Sequence, residues 1–240
     1  MRFNCIMTGR QFNQQGGAGK LPMNMTETQA EFSPATLQAL TTEHFTLQGA
    51  RSVLISEVNS RATIYLSAVS SAVVALAFVT SISESTDLMR AFALVLLPIL
   101  AFMGFVTKAR LVQLSYADFQ YQRAINRIRH FYVDAAPEVM RYLTLSIYDD
   151  PAGVVQSAVY QQGRRMGVLT AATMIAVINY VIVGLFIAIA VRWATGMSSI
   201  LAILIGIALG FVAALVDFRR EEAHWQEYVS SFEVRFPSPT

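Results

Sequence analysis

GVLTAATMIAVINYVIVGLFIAIAV, residues 167–191, decides the fold. These 25 residues contain no Asp, Glu, Lys or Arg, and basic residues stand on both sides, Arg164 and Arg165 before them and Arg192 after. A helix rising 1.5 Å per residue needs about 20 apolar residues to cross a hydrocarbon core about 30 Å thick. Helices of soluble proteins seldom stay apolar around their whole circumference for that length, because one face must meet water. The stretch therefore predicts a membrane span, with Asn179 at mid-depth as its strongest hydrogen-bonding side chain.

Three further segments meet the same test, at 62–82, 91–107 and 199–216, and none contains Asp, Glu, Lys or Arg. Composition agrees, with 54% hydrophobic residues and 14% charged, where an ordinary soluble domain carries about a quarter charged residues. A net charge of +2 is too small to imply a nucleic-acid partner, and no direct nucleic-acid binding is expected. Cys5 is the only cysteine, so neither a disulfide framework nor paired thiolate ligands can form within the chain. The N-terminus has no early apolar stretch, and no cleavable signal peptide is expected.

Charge placement sets orientation. Of the 18 Lys and Arg, only Arg90 and Arg192 fall in the short loops between paired spans. The rest lie before the first span, between the second and third, or after the fourth. Lys and Arg resist translocation, so those three regions are expected in the cytoplasm. The sequence thus predicts an all-α membrane protein of a bacterial inner membrane with both termini cytoplasmic. Its four transmembrane helices form two hairpins, 62–107 and 166–218, with extended cytoplasmic helices.

Outside the spans, residues 1–32 are polar and Gly-rich and read as a flexible tail. Ser33-Pro34 has the cap-then-proline form of a helix start. Leu37, Leu40, His44, Leu47, Leu54 and Val58 then recur at helical spacing, giving an amphipathic helix over 33–61 that runs into the first span. In the region 108–165, Leu111, Leu114, Phe119, Ile125, Ile128 and Phe131 extend the second span as one long helix ending at Ala135-Ala-Pro137. A short helix is expected over 138–147, and Asp150-Pro151 signals another leading to Arg165. The segment 219–240 carries helix into the C-terminal tail and closes at Pro237 and Pro239.

Several residues have a functional reading beside a plainer one. Ala202, Gly206, Gly210 and Ala214 place a small residue at every fourth position. That pattern suits a self-association face or packing inside one bundle; Ser67, Ser71 and Ala75 form a weaker counterpart in the first span. Asn179 suits an interhelical hydrogen bond, or a pore lining in an oligomer. Pro98 interrupts the second span's donors and is a candidate hinge or a tolerated kink. Arg123, Arg127 and Arg129, with His130, form a basic cluster suited to an anionic small molecule or a cytoplasmic protein. They suit equally a solvated face or pairing with Asp118, Asp134 or Glu221-Glu222. Asp217 is expected to pair with Arg219 or Arg220, or to cap exposed amides locally.

No catalytic or cofactor motif survives inspection, and neither an enzyme nor a cofactor is expected. Gly16-Gly-Ala-Gly-Lys20 lacks the first glycine and the hydroxyl of a phosphate loop, with Gln14 and Leu21 in their places. Glu221 and His224 have one Glu-x-x-His spacing, but a carboxylate-bridged metal site needs a second. No carboxylate, lysine or histidine occupies any span, which disfavours a proton-coupled pump. Beside a membrane enzyme acting on lipid, for which no acid, base or nucleophile stands near an interface beyond Asp217, two functions remain in view. One is an oligomeric effector or channel-like protein whose cytoplasmic helices receive a signal or partner. The other is a membrane-anchored scaffold that recruits a partner without forming a pore. In layout alone the chain is similar to the small multi-helix membrane effectors encoded beside bacterial nucleotide-signalling and phage-defence systems, which also join hairpins to cytoplasmic helices.

Overall fold

The computed structural model describes residues 33–82, 86–157 and 170–239. The tail at 1–32 and the stretch through Arg164 and Arg165 lie outside the described residues. Five α-helices make up the described chain, with no strand: α1 Pro34–Ile82, α2 Thr86–Ala135, α3 Pro151–Ser157, α4 Ala171–Thr195 and α5 Ser199–Ser230. Four of them, α1, α2, α4 and α5, are long and apolar enough to cross a membrane. The protein is a multi-pass membrane protein.

Helix ends follow local chemistry. Ser33 Oγ accepts the amide of Thr36 at 3.2 Å, so the cap-then-proline signal does start α1. Thr170 caps α4 by accepting the Thr173 amide, and Gly196 ends that helix in the left-handed region at φ 66°. α2 continues unbroken through Pro98, which is half-buried, and stops at Ala135 before Pro137. The helix expected over 138–147 is shorter and tighter than that: a 3-10 turn, Pro137–Tyr142, with non-helical chain beyond it. The side chain of Ser146 bears on the difference: it is buried and accepts the nearby Tyr148 amide, a local bond that competes with a helical ladder.

Packing runs in sequence order: α1 lies on α2, α2 on α4 and α4 on α5, while α1 only brushes α4. α4 buries Ala172, Ile175, Asn179 and Ile182 on one face and exposes Met174, Val177, Val181 and Leu185 on the other. Spacings of three and four on both sets show a helix apolar all round, as lipid demands. The polar end of α1 is held to α2 by Leu54 and by ion pairs. Arg51 reaches Asp118 with two bonds, at 2.7 and 3.2 Å, and Arg110 reaches Glu57 at 2.9 Å. The stripe Leu40, His44, Leu47, Leu54 and Val58 is the buried or half-buried side of α1, while Leu37 at its tip is exposed.

Candidate functional site

Two polar sites and one close-packed seam organise the molecule. The first site lies within the spans. Tyr65 of α1, fully buried, donates its hydroxyl to Asn179 Oδ1 of α4 at 3.2 Å. Gly104 of α2 completes the junction, since a Cβ there would stand 2.1 Å from the same oxygen. Burying an amide in an apolar interior is costly unless it is bonded, and Tyr65 supplies the bond. Asn179 is therefore a three-helix contact inside one chain.

The small residues of α5 are also used inside the chain. A Cβ on Gly206 would come within 2.3 Å of Gly184 O, and one on Gly210 within 2.9 Å of Tyr180 O. Ala202, Gly206 and Gly210 are buried against α4 and Ala214 is half-buried. Side chains any larger would hold the two backbones apart.

The second site, which we take as the candidate functional site, sits beyond the spans, where α2 meets two later segments of the chain, one at Asp149 and one at 232–236. Asp149, with no exposed surface, is its centre. It accepts Arg127 Nε at 2.6 Å and the amides of Arg235 and Phe236 at 3.1 and 2.8 Å, and its own amide donates to Phe236 O at 3.1 Å. Arg123 and Arg127 each donate to Glu233 O at 2.9 Å, and Arg123 Nε donates to Asp149 O. Two aromatic rings close the site: Phe232 lies 4.3 Å under the Arg123 guanidinium and Phe236 stacks 3.9 Å from the His130 ring. Residues 232–236 thus form a strap, read largely through its backbone, that fastens the end of α5 to α2.

One buried carboxylate, Asp149, faces two guanidiniums at this site, Arg123 and Arg127. Burial would raise the Asp149 carboxyl, but the Phe236 amide, Arg127 and the Arg235 amide outweigh it and hold the pKa below the ordinary aspartate value. Burial, then the neighbouring Arg127, pushes the Arg123 guanidinium down. Behind the site Asn126 is fully buried and bonds Gln122, Ser157 and the Tyr148 carbonyl. Comparison with protein families, curated proteins and solved structures found no match. What this site can do follows from its own geometry: it binds peptide backbone, and here that backbone is residues 233–236 of the chain's own tail.

Sequence reasoning placed Arg123 and Arg127 together but missed Asp149. Of the proposed acidic partners, Asp134 stands 3.7 Å from His130 of the same cluster, while Asp118 holds Arg51 and Glu221 holds Lys108 at 2.8 Å. Arg129 donates to Asn126 Oδ1 at 3.3 Å and is not in the Asp149 clamp. Asp217 pairs with Lys108 of α2 and not with Arg219 or Arg220, because Lys108 is nearly buried between the helices and needs a counter-charge. The double acid Asp149-Asp150 before Pro151, facing an arginine-bearing helix, was the available signal. Only the cap was drawn from it; Asp150 does cap α3, accepting the Gly153 amide at 3.0 Å.

Proposed function

We propose that this chain is an effector of the bacterial inner membrane, with cytoplasmic termini, whose cytoplasmic helices receive a signal or partner. Its two membrane hairpins act in a homo-oligomer and respond by opening or deforming a path through the bilayer. One observation carries this reading. α2 runs 50 residues without a break from the first span loop to the Asp149 clamp, and the strap ties α5 to the same place. At 1.5 Å per residue α2 is about 75 Å long, more than twice the hydrocarbon thickness. Movement at the clamp is therefore delivered to two spans as levers.

The oligomeric contact would not use α5, whose small residues face α4. Ser67 and Ser71 on α1 are exposed at i,i+4 and leave a small-residue face open to a second copy. A second reading, a membrane-anchored scaffold without a pore, is favoured by Asn179 being satisfied within one chain. Ion flux from proteoliposomes, measured for the natural chain and for Asp149→Asn, separates the two. Flux that changes when the clamp is broken supports the effector. A sealed bilayer in both cases, with a monomer in mild detergent and no cross-link through Ser71→Cys, supports the scaffold.

A further inference from the structure

Where the apolar spans give way to charge, α2 and α5 face each other across an open groove of about 900 Å³, within the range of small-molecule pockets. The pairing of α4 and α5 explains the opening. Gly206 lies against Gly184 and Gly210 against Tyr180, so the helices are antiparallel. Counting back at the same pairing, the start of α4 at Ala171 falls opposite Arg219. Beyond that level α5 has no α4 beside it.

The groove is divided by chemistry. Phe105, Ala109 and Val112 supply an apolar wall at its α2 side. Lys108 closes the floor, bonded to both Asp217 and Glu221, and burial of its ammonium is more than offset by those two carboxylates, which raise its pKa. The floor so closed carries one excess negative charge. On the α5 side Arg220, His224 and Glu227 line the groove at i, i+4 and i+7, one face of the helix. No ion pair engages Arg220 among the described residues, and Glu227 meets only His224, at 3.9 Å.

We propose that this groove holds one phospholipid whose headgroup ends in a primary ammonium. Its upper acyl carbons lie on Phe105 and Ala109, its phosphate on Arg220 and its ammonium on Glu227. The apolar wall starts inside the span at Phe105 and runs beside the charged face of α5, so one molecule with an acyl part and a charged head can meet both. The headgroup follows from the charges: a purely anionic lipid would meet a floor that is already negative, whereas a zwitterion finds a cation and an anion on one helix face. A primary ammonium can donate hydrogen bonds to Glu227; a trimethylammonium cannot. The assignment needs the membrane placement of the four helices and is independent of the effector reading.

The test is native mass spectrometry of the full chain released from nanodiscs made of equal parts phosphatidylethanolamine, phosphatidylglycerol and phosphatidylcholine. One phosphatidylethanolamine retained per protomer is expected, in preference to the other two. Arg220→Gln should lower total retention about tenfold, the size of one charge-assisted bond. Glu227→Gln should remove the preference over phosphatidylcholine, and Ala109→Trp, which fills the wall without touching charge, should expel the lipid. All three positions are exposed, and an unchanged size-exclusion profile would confirm that folding is intact. No retained lipid, a preference for phosphatidylglycerol, or retention indifferent to all three substitutions would overturn the proposal.

Discussion

Gly104→Ala adds one methyl group at the most crowded point of the bundle. The new Cβ would stand 2.1 Å from Asn179 Oδ1, 2.4 Å from Asn179 Cγ and 2.8 Å from Tyr65 Oη. Overpacking a dense interior costs about 1–3 kcal/mol. Turning the amide aside breaks the Tyr65–Asn179 bond, worth about 0.6 kcal/mol in a membrane protein. Alanine returns about 0.8–1.0 kcal/mol through helix propensity. The net is a loss of about 0.6–2.8 kcal/mol. Gly49→Ala is the matched control, because nothing lies within 4 Å of its Cβ and it stands exposed on α1; it should gain about 1 kcal/mol. Unfolding by SDS titration in mixed micelles measures both. Asn179→Ala removes two of the three clashing atoms, so the double variant should be less damaged than the sum of the singles by about 1 kcal/mol. A Gly104→Ala protein as stable as the natural chain, or stabilised like Gly49→Ala, would refute the junction.

Three other outcomes are expected. Gly206→Ala meets Gly184 O, a backbone atom that cannot rotate away, at 2.3 Å; α4 and α5 must part, at a cost of about 2–3 kcal/mol in the same titration. Asp149→Asn leaves Arg127 without its buried counter-charge and should cost about 3–5 kcal/mol, with limited proteolysis clipping the strap after Ser230 faster than in the natural chain. The pH profile should fall in two places. The His44 pKa is lowered by burial and then by Arg129, so protonation favours the unfolded chain and stability declines as pH drops below 6.5, a decline that His44→Gln removes. The Asp149 pKa is depressed, so its contribution is complete above the unfolded value of 3.8 and is lost as pH falls through the lower native one.

The spans were legible because lipid imposes a crude rule, an uncharged run of fixed length, and all four runs fall on helices that meet it. The end of α2 at Ala135 and the starts of α1 and α3 were legible for the same kind of reason, since proline and capping chemistry act within a few residues. Partners were not. Arg123 meets a carbonyl 26 positions away and another 110 positions away, and no local pattern encodes such distances. Tyr65 and Gly104 escaped notice because each is ordinary in an apolar helix. Only their meeting with Asn179 gives them a role.

That distinction bears on assembly. α5 exposes Ile200, Ile203, Ile207 and Phe211, a broad apolar face. In water such a face would demand a partner, but lipid tails are as apolar as isoleucine, so the hydrophobic effect does not drive its burial within a bilayer. Small or polar residues that allow close approach are the better guide. Those on α5 are consumed by α4, packed so closely that a Cβ added at Gly206 or Gly210 would stand within 3 Å of an α4 carbonyl. Ser67 and Ser71, on the opposite flank of the packing order, keep their surface. If protomers meet, α1 should form the seam, and α1 also carries Arg51 and Glu57, which grip α2 beyond the span. A contact made through α1 would therefore reach the helix that bears the Asp149 clamp, whereas one made through α5 would first have to unpack α4.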